Sequence, residues 1–113
     1  MDRELFGGDY RGQYNNRSTG VQVVEAAKEH PVAAGLEPFV SRGSLYKNPA
    51  IGKDTTLLLS GTAQRHVEPV AWTRPHHGGR VFYTSLGHRD DFAEPNFVRL
   101  LLNAICWTCG RRL

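Results

Sequence analysis

Between Glu68 and Gly110 the hydrophobic period of the chain changes once, from strand-like to helical, and that change dictates how its last third folds. Val70-Ala-Trp-Thr-Arg74 and Arg80-Val-Phe-Tyr-Thr-Ser85 are rich in β-branched and aromatic residues and predict two strands. Pro75-His-His-Gly-Gly79 supplies a turn long enough for a bulged connection, with glycines that tolerate positive φ. Pairing the two runs sets Trp72 beside Phe82 or Tyr83, a cross-strand contact that contributes about 0.2–1 kcal/mol. A Gly87-His88 loop then leads into a helix. Pro95 suits its first position, and Asp90, Asp91 and Glu94 place negative charge near the positive end of its dipole. Phe97, Leu100, Leu101, Ala104 and Ile105 fall on one buried face, Arg99 and Asn103 lie opposite, and Gly110 is the stop.

Upstream the pattern is sparser. Residues 3–20 carry Gly7-Gly8, Gly12, Asn15-Asn16 and Gly20, a density that marks a loop. Val21–Glu25 favours a strand. His30-Pro31 forces an extended residue before the proline, and Val32–Leu36 forms a single helical turn closed by Gly35. Phe39–Tyr46 reads as a short strand and a turn. Thr55–Gly61 is the strongest strand of this region, and its apolar residues do not alternate with polar ones, as expected where a strand is covered on both faces.

A chain of 113 residues makes one domain at most. Its hydrophobic fraction of 40% and mean hydropathy of -0.43 suit a soluble globular protein. No apolar run reaches the roughly 20 residues of a membrane-spanning helix, so no membrane partner is expected. Met1–Gly8 holds no apolar core of a secretory signal, which makes the cytoplasm the expected location. A net charge of +3 invites a nucleic-acid reading, but the 14 basic residues are scattered and only Arg111-Arg112 are adjacent. No nucleic-acid partner is expected.

Several groups carry chemistry on paper. His88 sits where the strand Arg80–Ser85 ends, the edge at which open α/β sheets bind ligands. A histidine there can act as base, hydrogen-bond donor or ligand to a metal, or it can simply cap a turn. His30, held extended before Pro31, can face a pocket or pack beneath the turn that follows. Asp9 and Arg11 are polar loop residues able to touch a ligand or to remain solvated. Cys106-Trp-Thr-Cys109 has dithiol spacing, but it lies at the C-terminal end of a helix, where the dipole does not activate a thiol. Cys106 falls beside Arg99 on the wheel, so an exposed free thiol is expected. Neither these cysteines nor His66, His76 and His77 give the ligand spacing of a metal site, and no metal or other cofactor is expected. No phosphate loop, dinucleotide fingerprint or G-x-S-x-G elbow is present, and no nucleophile with a base beside it can be read. Whether the chain is an enzyme stays open.

The run Pro69-Val-Ala-Trp-Thr-Arg74, Gly79-Arg-Val-Phe-Tyr-Thr-Ser-Leu-Gly-His88 and Phe97–Trp107 resembles the C-terminal half of the ThuA-like (trehalose-utilisation) family. His30–Leu36 is similar to that family's "HPI..G" segment. Gly7-Gly-Asp-Tyr-Arg-Gly-Gln13 looks like its "GG.Y.GH" loop, with Gln13 in place of the histidine, and Gly43-Ser-Leu-Tyr46 stands where many relatives have "DELY". The resemblance implies an α/β fold, a partial flavodoxin-like (class I glutamine amidotransferase-like) three-layer sandwich with a C-terminal β-hairpin and closing helix. Residues 1–113 would then be the C-terminal portion of a single domain, with the strand Thr55–Ser60 left with an exposed edge and face. It further implies a link to carbohydrate utilisation, with a small-molecule carbohydrate held by His88, Gly87, His30, Asp9, Tyr10, Arg11, Gln13 and Tyr46. The alternative is a non-catalytic interaction module that completes its sheet as a homo-oligomer, with a complementing N-terminal segment or with another partner.

Overall fold

The structure, a computed structural model, describes residues 18–45 and 54–110. Five strands form a single sheet in the order β2-β1-β3-β4-β5: β1 Thr19–Val23, β2 Phe39–Ser41, β3 Thr56–Ala63, β4 His66–His76 and β5 Gly79–Thr84. Among the described residues one α-helix, α1, covers Pro95–Thr108, and shorter 3₁₀ turns occupy Glu25–Ala27, Pro31–Ala33 and Arg89–Ala93. The mixed α/β character, the C-terminal hairpin and the closing helix are all present.

Every pairing in this sheet is antiparallel. The connections leave no other choice for two of them. β3 turns into β4 through Gln64-Arg65 alone, and β4 into β5 through His77-Gly78 alone, whereas a parallel neighbour needs a crossover of a dozen or more residues. His77 and Gly78 both have positive φ, the signature of a tight primed turn, and His76 pairs directly with Gly79. The turn is therefore two residues long, shorter than the bulged connection expected across Pro75–Gly79. Trp72 pairs with Tyr83, and their rings stack with centroids 4.3 Å apart.

β3 lies in the middle of the sheet, so the exposed edge expected for it does not exist: β1 takes one side and β4 the other. Its consecutive buried leucines also have a local cause. Leu57 pairs with Trp72 and Leu59 with Ala71, leaving Leu58 as an extra residue on β3; Ser60 then pairs with Pro69, leaving Val70 extra on β4. The two irregularities compensate, and both extra side chains enter the core. Pro69 sits at this break in the ladder, where its missing N–H does least harm.

The core lies between the sheet and α1. Phe97, Leu100 and Ala104 pack against Val21, Leu58, Leu59, Val70 and Ala71. Gly61 lets the strands close up, since a Cβ there would lie 2.7 Å from Val70 Cγ1 and 2.9 Å from Thr19 Cγ2. Pro95 opens α1 as expected, Glu94 caps it by accepting from Asn96 N at 2.5 Å, and Gly110 follows it at φ +72. Two positions on its wheel exchange roles. Asn103 is buried and donates through Nδ2 to Val32 O at 3.0 Å and to Ala34 O at 2.8 Å, while Ile105 is 60% exposed. The 3₁₀ turn Pro31–Ala33 presents its carbonyls to that side of the helix, so an amide there is worth more than a methyl group.

Candidate functional site

At the end of β5 the chain is held tightly before it enters α1. Thr84 Oγ1 donates to Val70 O at 2.8 Å and accepts from Leu86 N at 3.1 Å. Gly87 follows at φ +124, a conformation that side chains rarely adopt. Its N–H donates to Asp91 Oδ2 at 3.2 Å. His88 then caps the 3₁₀ turn Arg89–Ala93, its Nδ1 accepting from Asp90 N at 3.1 Å.

Asp91 organises this corner. Its side chain is buried and accepts from Ser41 Oγ at 2.7 Å, from Arg42 N at 2.8 Å and from Gly87 N. Ser41 Oγ accepts in turn from Gly43 N at 3.2 Å, and Thr19 Oγ1 donates to Gly43 O at 3.0 Å. The end of β2 is thereby tied to the loop after β5. Between them lies a recess of about 270 Å³, lined by Ser41, Gly43, Ser44, Ser85, Leu86, Gly87 and His88. With Nδ1 engaged as an acceptor, the neutral His88 ring carries its proton on Nε2 and is a donor there. The imidazole and the serine hydroxyls of this recess suit hydrogen bonding to a polar, hydroxyl-bearing molecule.

A family model described as ThuA, trehalose utilisation, matches residues 1–108. The chain belongs to the ThuA family. A search of the curated proteins returns no match. The family residues expected to bind a ligand divide into groups. His88 and Gly87 line the recess just described. Asp9, Tyr10, Arg11, Gln13 and Tyr46 lie outside the described residues.

His30 stands elsewhere. It caps the 3₁₀ turn Pro31–Ala33 through Nδ1, which accepts from Val32 N at 3.1 Å, and its ring lies 5.3 Å from that of Trp107. Burial lowers its pKa below the usual 6.5. The hollow beside it holds about 180 Å³ and is lined by Thr56, Thr73, Arg74, Pro75, Gly79, Arg80 and Trp107. Arg80 closes over Trp107, its guanidinium carbon 5.2 Å from the ring and Nη1 donating to Trp107 O at 2.7 Å. His88 precedes the first turn of α1 and His30 touches its last, so roughly 20 Å of helix separates the two histidines. They line separate recesses.

A wider hollow of about 710 Å³ opens between the end of β1 and the 3₁₀ turns, at Gln22–Glu25, Lys28 and Gly35–Pro38. None of the residues predicted to bind a ligand lines it. Among the described residues no group of three or more His, Cys, Asp or Glu side chains could hold a metal ion. Cys106 and Cys109 are free thiols, the first half-buried and the second exposed, so the expectation of an exposed Cys106 is met only in part. No helix among the described residues is long and apolar enough to cross a membrane.

Asp91, which ties the walls of the recess together, is not legible in the sequence as more than a companion of Asp90 at the dipole of α1, because its separation of 50 residues from Ser41 leaves no local signal. The one hint is the doubled aspartate itself. A helix N-terminus needs less charge than Asp90, Asp91 and Glu94 supply together.

Proposed function

We propose that the chain binds a carbohydrate in the recess between Ser41–Ser44 and Ser85–His88, as a non-catalytic or partial site of the trehalose-utilisation family. The observation that carries this reading is the buried Asp91, which holds Ser41, Arg42 and Gly87 in place and so pre-forms the walls of the recess. A pre-formed polar site lowers the ordering cost of binding a flexible, hydroxyl-rich ligand. His88 Nε2–H donates to a sugar oxygen, and the Ser44 and Ser85 hydroxyls donate and accept around it. His30 belongs to a different recess and takes no part. Family membership, rather than the sheet, supports a flavodoxin-like, class I glutamine amidotransferase-like architecture, since every described pairing is antiparallel.

Titration of ¹⁵N-labelled protein with trehalose and, separately, glucose tests the reading. Saturable shifts at Ser44, Ser85, Gly87 and His88, with His30 and Trp107 unmoved, are the expected result. Shifts confined to residues outside the recess, or none up to sugar concentrations on the order of 50 mM, overturn it, because that range covers even weak millimolar ligands.

A further inference from the structure

Thr73 is 3% exposed, yet no hydrogen bond engages its hydroxyl among the described residues. A buried polar group left in that state is costly, so what it faces matters. Thr56 pairs with Thr73, Thr73 with Phe82 and Pro75 with Arg80, which puts Thr56, Thr73 and Arg80 on one face of the sheet. It is the face that α1 covers, since Arg80 reaches Trp107 O. All three residues line the hollow of about 180 Å³ beside His30 and Trp107. Arg74 also borders this hollow, but its side chain alternates to the opposite face, where Nη2 donates to Asp54 Oδ2 at 3.0 Å.

We propose that the hollow is a second binding site, one that takes the carboxylate of a small monoanionic molecule. Its lining is made of donors. Arg80 commits one N–H to Trp107 O and lies over the Trp107 ring, so a guanidinium already held in place keeps four N–H groups to offer. No ion pair engages Arg80 among the described residues. His30 Nδ1 accepts from Val32 N, which makes the neutral ring a donor at Nε2. The Thr56 and Thr73 hydroxyls complete the set, and the guanidinium fork matches a carboxylate with two parallel bonds.

Charge and size narrow the ligand. The nearest carboxylate, Asp54, is held by Arg74 on the other face, and Glu29, which precedes His30, does not line the hollow. The C-terminal end of α1 carries about half a negative charge, which offsets part of Arg80 and leaves too little for a dianionic phosphate. A monoanion suits what remains. The volume equals that of roughly six water molecules, room for one small acid or the acidic end of a longer one. This site is separate from the recess at His88 and does not depend on a sugar bound there.

The full chain, ¹⁵N-labelled and kept at constant ionic strength near pH 7.5, where His30 is neutral, is titrated with sodium acetate and, separately, with sodium chloride and inorganic phosphate. Acetate is expected to shift the Trp107 Nε1–H and Arg80 Nε–H signals saturably, with a midpoint on the order of 1–30 mM. Arg80→Gln should weaken binding roughly tenfold. Thr73→Val should weaken it roughly fivefold, with no fall in the urea midpoint measured without acetate, because the hydroxyl has no protein partner to lose. The proposal is overturned if chloride produces the same shifts, if phosphate binds more tightly than acetate, or if neither substitution matters. No shift up to about 100 mM acetate overturns it as well, and so does a destabilised Thr73→Val, which would assign the hydroxyl to the fold.

Discussion

Ser41 and Asp91 meet in the interior through a 2.7 Å hydrogen bond that spans 50 residues of sequence. The contact joins the end of β2 to the turn before α1, and the same carboxylate takes the Arg42 and Gly87 N–H groups. Replacing Asp91 by Asn keeps its volume but turns an acceptor into a donor facing other donors. Loss of about 2–3 kcal/mol in urea unfolding is expected. Ser41→Ala removes two hydrogen bonds, one donated to Asp91 and one accepted from Gly43 N, and costs about 2 kcal/mol. A double-mutant cycle should return a coupling between the two of about 0.5–3 kcal/mol; additive effects would show that they do not act together.

Asn103 makes a comparable long-range tie. Its Nδ2 serves the carbonyls of both Val32 and Ala34, so α1 satisfies a turn that has no helix of its own to do so. Asn103→Leu fills the space and strands two carbonyls. The expected cost is about 2–3 kcal/mol by chemical denaturation, although leucine is the better helix former. A neutral or stabilising result would mean that water replaces the amide.

The contrast between Asn103 and Ile105 shows where sequence patterning stops. The start of α1 at Pro95, the inward line Phe97–Leu100–Ala104 and the placing of Trp72 beside Phe82 or Tyr83 are all legible, because each follows from a local period or a local pair, and the register then selects Tyr83. A helical wheel ranks residues by polarity and cannot know that a 3₁₀ turn offers two carbonyls to position 103. The first half of β4 escaped for a similar reason. The turn at Gln64-Arg65 contains no glycine or asparagine, although Gln64 adopts φ 57, and Pro69 argues against a strand unless a bulge sits beside it. At the candidate site His88 and Gly87 were legible from their place after a strand. Asp91, which shapes the recess, was not, since its partners arrive only through the fold.

Gly61 is set by packing, not by its backbone conformation. A methyl group there would meet Val70 Cγ1, Thr19 Cγ2 and Leu45 Cδ1 at 2.7, 2.9 and 3.0 Å. All three neighbours are themselves buried, so none can swing into solvent. Gly61→Ala is expected to lose about 1–3 kcal/mol through overpacking, despite the better strand entropy of alanine. Gly78→Ala, where no atom lies within 4 Å, is strained only by its φ of +79 and should cost less, about 1 kcal/mol. Equal losses at the two sites, measured by thermal unfolding, would show that the core yields around the added methyl.

His30 gives the chain a pH-dependent element. Burial lowers its pKa below 6.5, and its neutral Nδ1 accepts from Val32 N. Because the folded pKa lies below the unfolded one, the unfolded chain takes up the proton first as pH falls. The contribution is therefore fully present above about pH 6.5 and is lost progressively below it, until the folded state also protonates. The unfolding midpoint should fall as the pH drops from about 7 to 5, and His30→Asn, which keeps a capping acceptor, should flatten that part of the profile. An unchanged slope in His30→Asn would assign the acid sensitivity to other groups.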